Sequence, residues 1–409
     1  MIGSAATYVF LFISLFFEVF LLVVFLERRI TRVEAQSAPV RTSELPTVCI
    51  VVPCFNEART LEATVHSLLA LHYPGEKLEI AIIDDGSTDD TLKIARRFES
   101  DARVKVFSKE NGGKHTAMNL ALAHTQAELI GCLDADSVVA PDALMQVVPI
   151  FNNPKIAAVT PGIHVREQKN ILQRMQHVEY RLSIFNRFML AAIGSVFITP
   201  GPFSFFRASV VRELGAWRYA HSTEDMEMAL RIQLAGHLIA NQPQAVVHTN
   251  TPSTLRGLFR QRVRWTYGWL RNAVDYRFML GNKRFGNLGL IVLPTAIISV
   301  GAGIFFFLRI LWNLGDTISH AILRYESGAG FPHVSFNAFY LPTSALWFLV
   351  WASIAMILAL ICAGSLIGTG KRLPPASTPL FLLFYSFLVP LWLIAAVFRA
   401  TFKTGVRWR

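Results

Sequence analysis

The chain has 409 residues, enough for one large domain together with several membrane segments. Hydrophobic residues make up 53% of it and charged residues only 16%, whereas soluble domains average about 25% charged residues. The net charge of +11 would suit anionic lipid at a membrane surface, and no nucleic-acid-binding pattern accompanies it. These values exclude an ordinary soluble domain as the whole protein and argue against nucleic acid as a partner.

The first predicted element is a membrane helix within residues 1–30, followed by a linker over residues 31–46. Residues 8–26 are almost wholly apolar, which is long enough to cross the hydrocarbon core of a bilayer. A signal peptide carries positive charge in front of its apolar run. Here the charges follow the run, at Arg28, Arg29 and Arg32. By the positive-inside bias, the N-terminus lies outside and the next domain is cytosolic.

Residues 47–253 are predicted to form an α/β domain, because strand and helix patterns alternate from residue 48 onwards. The predicted strands cover 48–52, 79–83, 104–107 and 129–133, and the predicted helices cover 57–71, 89–98 and 113–124. Such alternation implies a mostly parallel sheet with helices on both faces. Ligands bind at the carboxyl edge of these sheets. We therefore expect the polar residues that follow the strands to meet in one site.

Two carboxylates, Asp134 and Asp136, follow the strand that ends near residue 133. At this spacing they can share a hard divalent cation such as Mg²⁺ or Mn²⁺ with a substrate diphosphate. The same pattern fits an ordinary turn, in which Asp bonds to its own backbone. Taken alone, the pair favours the turn.

The segment after residue 83 reads Asp-Asp-Gly-Ser-Thr-Asp and contains Asp85. It is typical of a turn that caps the next helix. Alternatively, its carboxylate accepts the N–H of a uracil ring. Residues 111–114 read Asn-Gly-Gly-Lys and lack the spacing of a P-loop. Lys114 at the start of a helix can still bind phosphate, helped by the helix dipole.

A later helical pattern begins at Thr223, Glu224 and Asp225. Acidic residues at a helix N-terminus complement the dipole, which is one interpretation of the motif. The other is a general base, because an inverting sugar transfer needs a carboxylate to take the proton from the attacking hydroxyl.

Residues 254–287 are predicted to be amphipathic helices at the membrane interface. Gln261, Arg264 and Trp265 share one face of the first of these helices. Arg264 can bind a diphosphate with its planar fork, and Trp265 offers a flat apolar surface to a sugar ring. The basic and aromatic residues around them suit an interfacial helix. Both interpretations can hold, because opposite faces would serve them.

Residues 288–409 are predicted to be a C-terminal membrane region. Its spans cover 288–312, 344–367 and 379–400. Residues 313–340 are expected to be an external loop, and Lys371 and Arg372 suggest a cytosolic loop between the last two spans. Three full crossings would place the basic C-terminal tail outside, against the charge bias. Either one segment is re-entrant or interfacial, or the charge rule fails there.

Together and in this order, the motifs resemble those of the processive branch of family 2 glycosyltransferases. That branch includes synthases of cellulose, chitin, hyaluronan and poly-N-acetylglucosamine, with the pattern D, D-x-D, T-E-D and Q-x-x-R-W. The match extends over about residues 47–273. The resemblance implies an α/β GT-A fold, with a Rossmann-like mixed sheet in a cytosolic domain, attached to α-helical transmembrane segments. It also implies inverting transfer from a UDP-sugar, with UDP-N-acetylglucosamine as the candidate donor.

The resemblance further implies a role for each matching residue. The nucleotide sugar would be bound by Pro53, Asn56, Glu57, Asp85, Lys114, Asp134, Asp136 and Arg264. Asp134 and Asp136 would also hold Mg²⁺ or Mn²⁺. Asp225 would be the catalytic base, with Glu224 beside it in the catalytic motif. The acceptor would be bound by Gln261, Trp265, Gly201 and Pro202.

The implied protein is a multi-pass enzyme of the inner (plasma) membrane that lengthens a β-linked polysaccharide, with its catalytic domain in the cytosol. The alternative is transfer of a single sugar to a lipid acceptor, which would suit the interfacial helix. A third hypothesis is a transporter or channel subunit that only binds nucleotide. An accessory membrane subunit is a candidate partner. The single N-terminal span, where cellulose synthases have several, leaves open whether the chain forms a polymer channel.

Overall fold

The computed structural model describes residues 2–31, 45–329 and 344–402. Most of the predicted linker and the basic C-terminal tail lie outside these residues. The described elements form an α/β domain and a set of long apolar helices.

The elements up to residue 249 are, in chain order, α1 (Ile2–Thr31), β1 (Val48–Cys54), α2 (Leu61–Leu69), β2 (Leu78–Asp84), α3 (Thr91–Arg96), β3 (Val104–Ser108), α4 (Lys114–His124), β4 (Leu129–Cys132), β5 (Ser137–Val139), α5 (Ala143–Val147), β6 (Ile156–Val165), α6 (Ile171–Ala192), β7 (Ser204–Arg207), α7 (Ala208–Glu213), α8 (Glu224–Leu234) and β8 (Leu238–Thr249). The helices that follow are α9 (Leu255–Asp275), α10 (Leu293–Glu326), α11 (Ala345–Thr369), α12 (Thr378–Leu380) and α13 (Ser386–Thr401). Two π-helical segments, Leu288–Val292 and Phe381–Tyr385, directly precede α10 and α13.

The strands form one eight-stranded sheet in the order β3-β2-β1-β4-β7-β6-β8-β5. β2 and β4 pair with β1 in parallel, and β3 pairs with β2 in parallel. β7 runs antiparallel to both of its neighbours, and β5 runs antiparallel to β8. The sheet is therefore mixed, and the carboxyl ends of β1, β2 and β4 lie at one edge.

Helices cover both faces of this sheet, and strand β1 shows why. Ile50 and Val52 point to one face, where they join a buried cluster with Leu61 of α2. Cys49 and Val51 point to the other face, into a second cluster that includes residues of α4. These side chains are completely buried, and burying a branched apolar side chain contributes about 1.5–3 kcal/mol. The continuous apolar run of β1 thus fits a strand buried on both faces.

Within the described ranges, four helical segments are long and apolar enough to cross a membrane: Ala5–Glu27, Leu288–Glu326, Ala345–Thr369 and Thr378–Thr401. They correspond to the four predicted spans. The second is longer than predicted, because helix α10 continues to Glu326 through part of the expected external loop. That stretch contains no proline and only one glycine, Gly315, so no strong helix breaker ends the helix before Glu326.

The apolar helices pack against the α/β domain as well as against each other. α11 packs along α6 and also contacts α1, and α13 packs along α9. α6 in turn packs against β6 and β8 of the sheet. Helices α6 and α9 therefore connect the sheet to the candidate membrane helices.

Candidate active site

A cavity of about 820 Å³ opens at the carboxyl edge of the sheet and extends to helices α6 and α9. We call it the cleft. The residues that line it include Pro53, Glu57, Asp85, Lys114, Asp134, Asp136, Gly201, Pro202, Glu224, Asp225, Gln261, Arg264 and Trp265. The topology thus brings together side chains that lie far apart in the sequence, as expected from the strand ends.

Asn56 is a predicted site residue that lies outside the lining of the cleft. Its side chain is exposed, and its Oδ1 accepts a hydrogen bond of 2.8 Å from the backbone N–H of Thr88. Its own N–H donates to Ser87 Oγ at 2.9 Å. Asn56 also adopts a left-handed backbone conformation with φ of 57°, which Asn tolerates better than most residues. These contacts place it against the turn after β2, and its binding of the nucleotide sugar stays a prediction.

Asp85 follows β2 and is only 4% exposed. Its carboxylate accepts hydrogen bonds from the backbone N–H groups of Gly112 and Gly113, at 3.1 and 2.8 Å. It also forms an ion pair with Lys109. Gly113 has a φ of 88°, a backbone conformation that glycine adopts without steric cost because it has no Cβ. Asp85 therefore organises the turn before α4 while it lines the cleft. The partner Lys109 was not anticipated from the sequence, and the uracil contact stays a prediction.

Lys114, the first residue of α4, lies at the centre of the cleft. Its ammonium donates to Asp134 Oδ1, and Glu224 Oε1 lies 4.0 Å away. Gly201 packs against the same pair, since a Cβ at that position would overlap with the ammonium and lie 2.7 Å from Asp134 Oδ1. A side chain at position 201 would have to displace the Lys114–Asp134 pair, and the predicted donor-binding and acceptor-binding residues are neighbours at this point.

Asp134 and Asp136 offer the carboxylate oxygens that Mg²⁺ and Mn²⁺ prefer. Asp136 Oδ1 accepts hydrogen bonds from Ser137 Oγ at 3.1 Å and Thr249 Oγ1 at 3.4 Å, which orient it. The Lys114 ammonium on Asp134 shows that a cation is favoured there. In the described ranges, no cluster of three or more His, Cys, Asp or Glu side chains could hold a metal unaided. The donor set fits an ion whose other ligands come from a diphosphate and water.

Asp225 lies in the first turn of α8, beside Glu224. Burial, and then the charge of Glu224, raises the pKa of Asp225 to about 7, while the charges of Lys114 and Arg264 oppose the rise. A carboxyl group with a pKa near neutrality can take up a proton during a reaction and release it afterwards. The arrangement suits a general base better than a purely structural helix terminus.

The turn that precedes Thr223 is strained. Ala220, His221 and Ser222 have φ values of 40°, 54° and 65°, a left-handed conformation that costs non-glycine residues about 1–3 kcal/mol each. Such strain persists only where surrounding contacts enforce it. No glycine signals this turn in the sequence, so only the folded structure reveals it.

The C-terminal half of α9 supplies those contacts. Asn272 Nδ2 donates to Thr223 Oγ1 at 2.8 Å, and His221 Nε2 lies 2.8 Å from Asp275 Oδ2. Gly268 of the same helix packs against Thr223, because a Cβ there would lie within 2.9 Å of Thr223 Cβ. The helix that carries the Gln-x-x-Arg-Trp motif therefore also positions the loop that leads to Asp225.

Trp265 forms the wall of the cleft on the α9 side. Its side chain is 37% exposed, and the Arg262 guanidinium stacks on its ring at 4.3 Å from the centroid. Gln261 Oε1 is buried and has no hydrogen-bond partner among the residues that the structure describes. A flat ring beside a hydrogen-bond acceptor atom such as Gln261 Oε1 suits a sugar, because the hydroxyl groups of the sugar can donate to that atom.

Comparison with known proteins identifies related sequences. The family profile described as "Glycosyltransferase like family 2" matches residues 46–268, more than half of the chain. The poly-beta-1,6-N-acetyl-D-glucosamine synthase of Staphylococcus aureus (strain COL) is 34% identical over 251 residues, which cover 60% of each chain. That of Staphylococcus epidermidis is 35% identical over 225 residues, 54% of each. The match thus spans about 60% or less of these relatives' length.

One solved structure is similar over nearly the whole chain. It is the mannosyltransferase PcManGT from Pyrobaculum calidifontis in complex with GDP-Man and Mn²⁺, with a TM-score of 0.62, 19% identity and coverage of 98% of both chains. At this identity the likeness concerns the fold. It confirms the predicted fold class, a GT-A-like mixed sheet accompanied by long apolar helices.

Proposed function

This chain belongs to glycosyltransferase family 2, and we propose that it transfers N-acetylglucosamine from UDP-N-acetylglucosamine to a growing β-linked polysaccharide. The family membership confirms the resemblance inferred from the motifs, all of which lie within the matched residues 46–268. The observation that supports this particular donor and product is the 34% identity to a poly-β-1,6-N-acetylglucosamine synthase.

On the donor side of the cleft, Asp85 lines the uridine pocket in this proposal, and Lys114 and Arg264 bind the diphosphate. Asp134 and Asp136 would hold Mg²⁺ or Mn²⁺, which neutralises the charge that develops on the leaving diphosphate. The mannosyltransferase with the similar fold was solved with a nucleotide sugar and Mn²⁺. Lys114 would move from Asp134 to the phosphate oxygens when the donor enters, since its ammonium can bind either anion.

On the acceptor side, Asp225 takes the proton from the attacking hydroxyl of the acceptor. The hydroxyl oxygen forms a bond to the anomeric carbon of the sugar while the bond to the diphosphate breaks on the opposite face. UDP leaves with the electron pair, so an α-linked donor becomes a β-glycoside. Trp265 and Gln261 hold the terminal sugar of the acceptor, and the small Gly201 and Pro202 let it approach the donor.

The proposed location is the inner (plasma) membrane, with the α/β domain in the cytosol. Four apolar helices of sufficient length support membrane attachment. The arginines that follow the first span support a cytosolic domain by the positive-inside bias. The prediction of an accessory membrane subunit stays a prediction.

A donor panel tests the proposed function. The full chain, purified in detergent with added phospholipid, is incubated with UDP-N-acetylglucosamine, UDP-glucose or UDP-galactose and with Mg²⁺ or Mn²⁺. We expect mass spectrometry to show a ladder of N-acetylhexosamine products with the first donor only, and EDTA to abolish it. An Asp225→Asn variant should bind donor and form no ladder. Transfer from none of the donors, or an unchanged ladder from Asp225→Asn, would contradict the proposal.

A second candidate function is the addition of one sugar to a lipid. The observation that favours it is the packing of α9, the acceptor wall of the cleft, against the apolar helix α13. In the same incubation this function would give a single-addition product that is extracted into organic solvent. A water-soluble ladder would exclude it.

A further inference from the structure

A polar network with a buried arginine and a buried tyrosine joins the acceptor wall of the cleft to the last candidate membrane helix. Its centre is Glu179 of α6. Arg262 of α9 donates to Glu179 Oε2 at 2.5 Å, and the hydroxyl of Tyr385 donates to the same oxygen at 2.7 Å. Three segments that are distant in sequence therefore meet on one carboxylate.

Arg262 depends on this carboxylate. It is 4% exposed, and within the described part of the chain its Nε and Nη1 atoms have no hydrogen-bond partner. A buried guanidinium is costly unless a carboxylate compensates its charge. Glu179 supplies that charge, and the face of the guanidinium lies against the Trp265 ring at 4.3 Å. The position of the ring is thereby tied to the position of Glu179.

Tyr385 reaches Glu179 because the helix is locally π-helical. The segment Phe381–Tyr385 has this wider winding, which rotates the last residue of the segment relative to a regular α-helix. The Tyr385 ring is 3% exposed and packs edge-on against Trp392 at 5.6 Å. Such π segments are frequent at functional sites. Here the segment supplies the third member of the network.

We propose that Glu179, held between Arg262 and Tyr385, is a positioning residue that fixes Trp265 for the acceptor sugar. This inference rests on the proposed function. Glu179 and Arg262 themselves line the cleft, next to Trp265. The last apolar helix is therefore part of the acceptor site and contributes to it through Tyr385.

The chain contains a matched control network. Tyr276 donates to Glu227 Oε1 at 2.8 Å, and Glu227 is paired with Arg231 at 2.8 Å. It has the same three residue types, with the arginine buried in both networks, and Tyr276 does not line the cleft. Tyr276→Phe therefore removes an equivalent hydroxyl without touching the acceptor wall.

The test compares Tyr385→Phe, Glu179→Gln and Tyr276→Phe in the full chain, with a short β-linked N-acetylglucosamine oligosaccharide as acceptor. We expect acceptor KM to rise about threefold in Tyr385→Phe and about tenfold in Glu179→Gln, which is the range for the loss of one ordinary hydrogen bond. Donor KM should stay within about twofold in both variants, since the network lies away from the nucleotide. Tyr276→Phe should leave acceptor KM unchanged.

An unchanged acceptor KM in folded Tyr385→Phe would overturn the inference, as would an equal rise in Tyr276→Phe. If Glu179→Gln fails to fold, the Tyr385→Phe comparison decides alone. A wild-type chain that forms no product from UDP-N-acetylglucosamine, with or without the oligosaccharide, would refute the proposed function, and the positioning role would be refuted with it. If only the positioning role is wrong, the wild type still transfers sugar to the oligosaccharide, and the variants keep the acceptor KM of the wild type.

Discussion

At the residue scale, the sequence predicted most of the cleft because its chemistry is carried by short motifs that follow strand ends. Asp134 and Asp225 reach the cleft as expected. The partners of other motif residues were not predicted. Lys109 pairs with Asp85 and Asn272 bonds to Thr223, and neither partner belongs to a motif. The contact of Asn56 with the turn after β2 was not predicted for the same reason, since its amide oxygen bonds to Thr88 across the fold.

The environment of Asp225 predicts how the rate depends on pH. Burial and Glu224 raise its pKa to about 7, and the protonated form cannot accept a proton. We therefore expect kcat/KM to fall about tenfold per pH unit below pH 7 and to be flat above it. Glu224→Gln removes a charge that raises the pKa, so the acid limb should move to lower pH.

Steady-state rates between pH 5 and 9 measure both profiles, and donor binding at each pH serves as the control for protonation of the diphosphate. The assignment of Asp225 as base would be wrong if Glu224→Gln left the acid limb where it is in the wild type.

At the element scale, strands β1 and β2 were predicted within one or two residues because they are apolar runs bounded by turn residues. Strands β5, β6 and β7 were not predicted. β6 contains Pro161 and Gly162, and its pairing with β8 shifts register there. A strand interrupted by proline and glycine lacks a local signal, and only its long-range partner stabilises it.

The contact between α9 and the strained turn predicts the effect of Gly268→Ala. The new methyl group would overlap with Thr223, and overpacking of this kind costs about 1–3 kcal/mol. We expect α9 to move away from the turn and kcat to fall by about tenfold or more, because Asp225 loses its alignment. Steady-state rates measure the change in kcat, and circular dichroism measures the change in stability.

Gly315→Ala is the matched control, since nothing lies within 4 Å of a Cβ at that position. Equal activity of the two variants would show that the close approach of α9 to Thr223 has no part in catalysis.

At the scale of the whole molecule, α6 links the sheet to the apolar helices. A Cβ at Gly364 of α11 would overlap with the carbonyl oxygen of Arg181 and lie 2.8 Å from its carbon. Small residues allow helix backbones to approach closely in membranes. The sequence predicted a membrane span at residues 344–367, which α11 occupies, but not its tight packing on α6, because no periodic pattern identifies the partner of α11.

Gly364→Ala should therefore weaken the attachment of the α/β domain to α11. We expect a loss of about 1–3 kcal/mol in stability from overpacking, seen as a lower melting temperature in detergent. Gly301→Ala, in another apolar helix with nothing within 4 Å of its Cβ, should melt like the wild type. Identical melting of Gly364→Ala and Gly301→Ala would contradict the tight packing.

The left-handed turn at residues 220–222 has a consequence for engineering a more robust enzyme. Glycine at Ala220 or Ser222 would remove a steric penalty, so a library selected for heat resistance would be enriched in glycine at these positions. The same substitutions would free the segment that orients Asp225. Thermostable variants that arise here should therefore be slower enzymes, and a useful screen must score rate and heat resistance together.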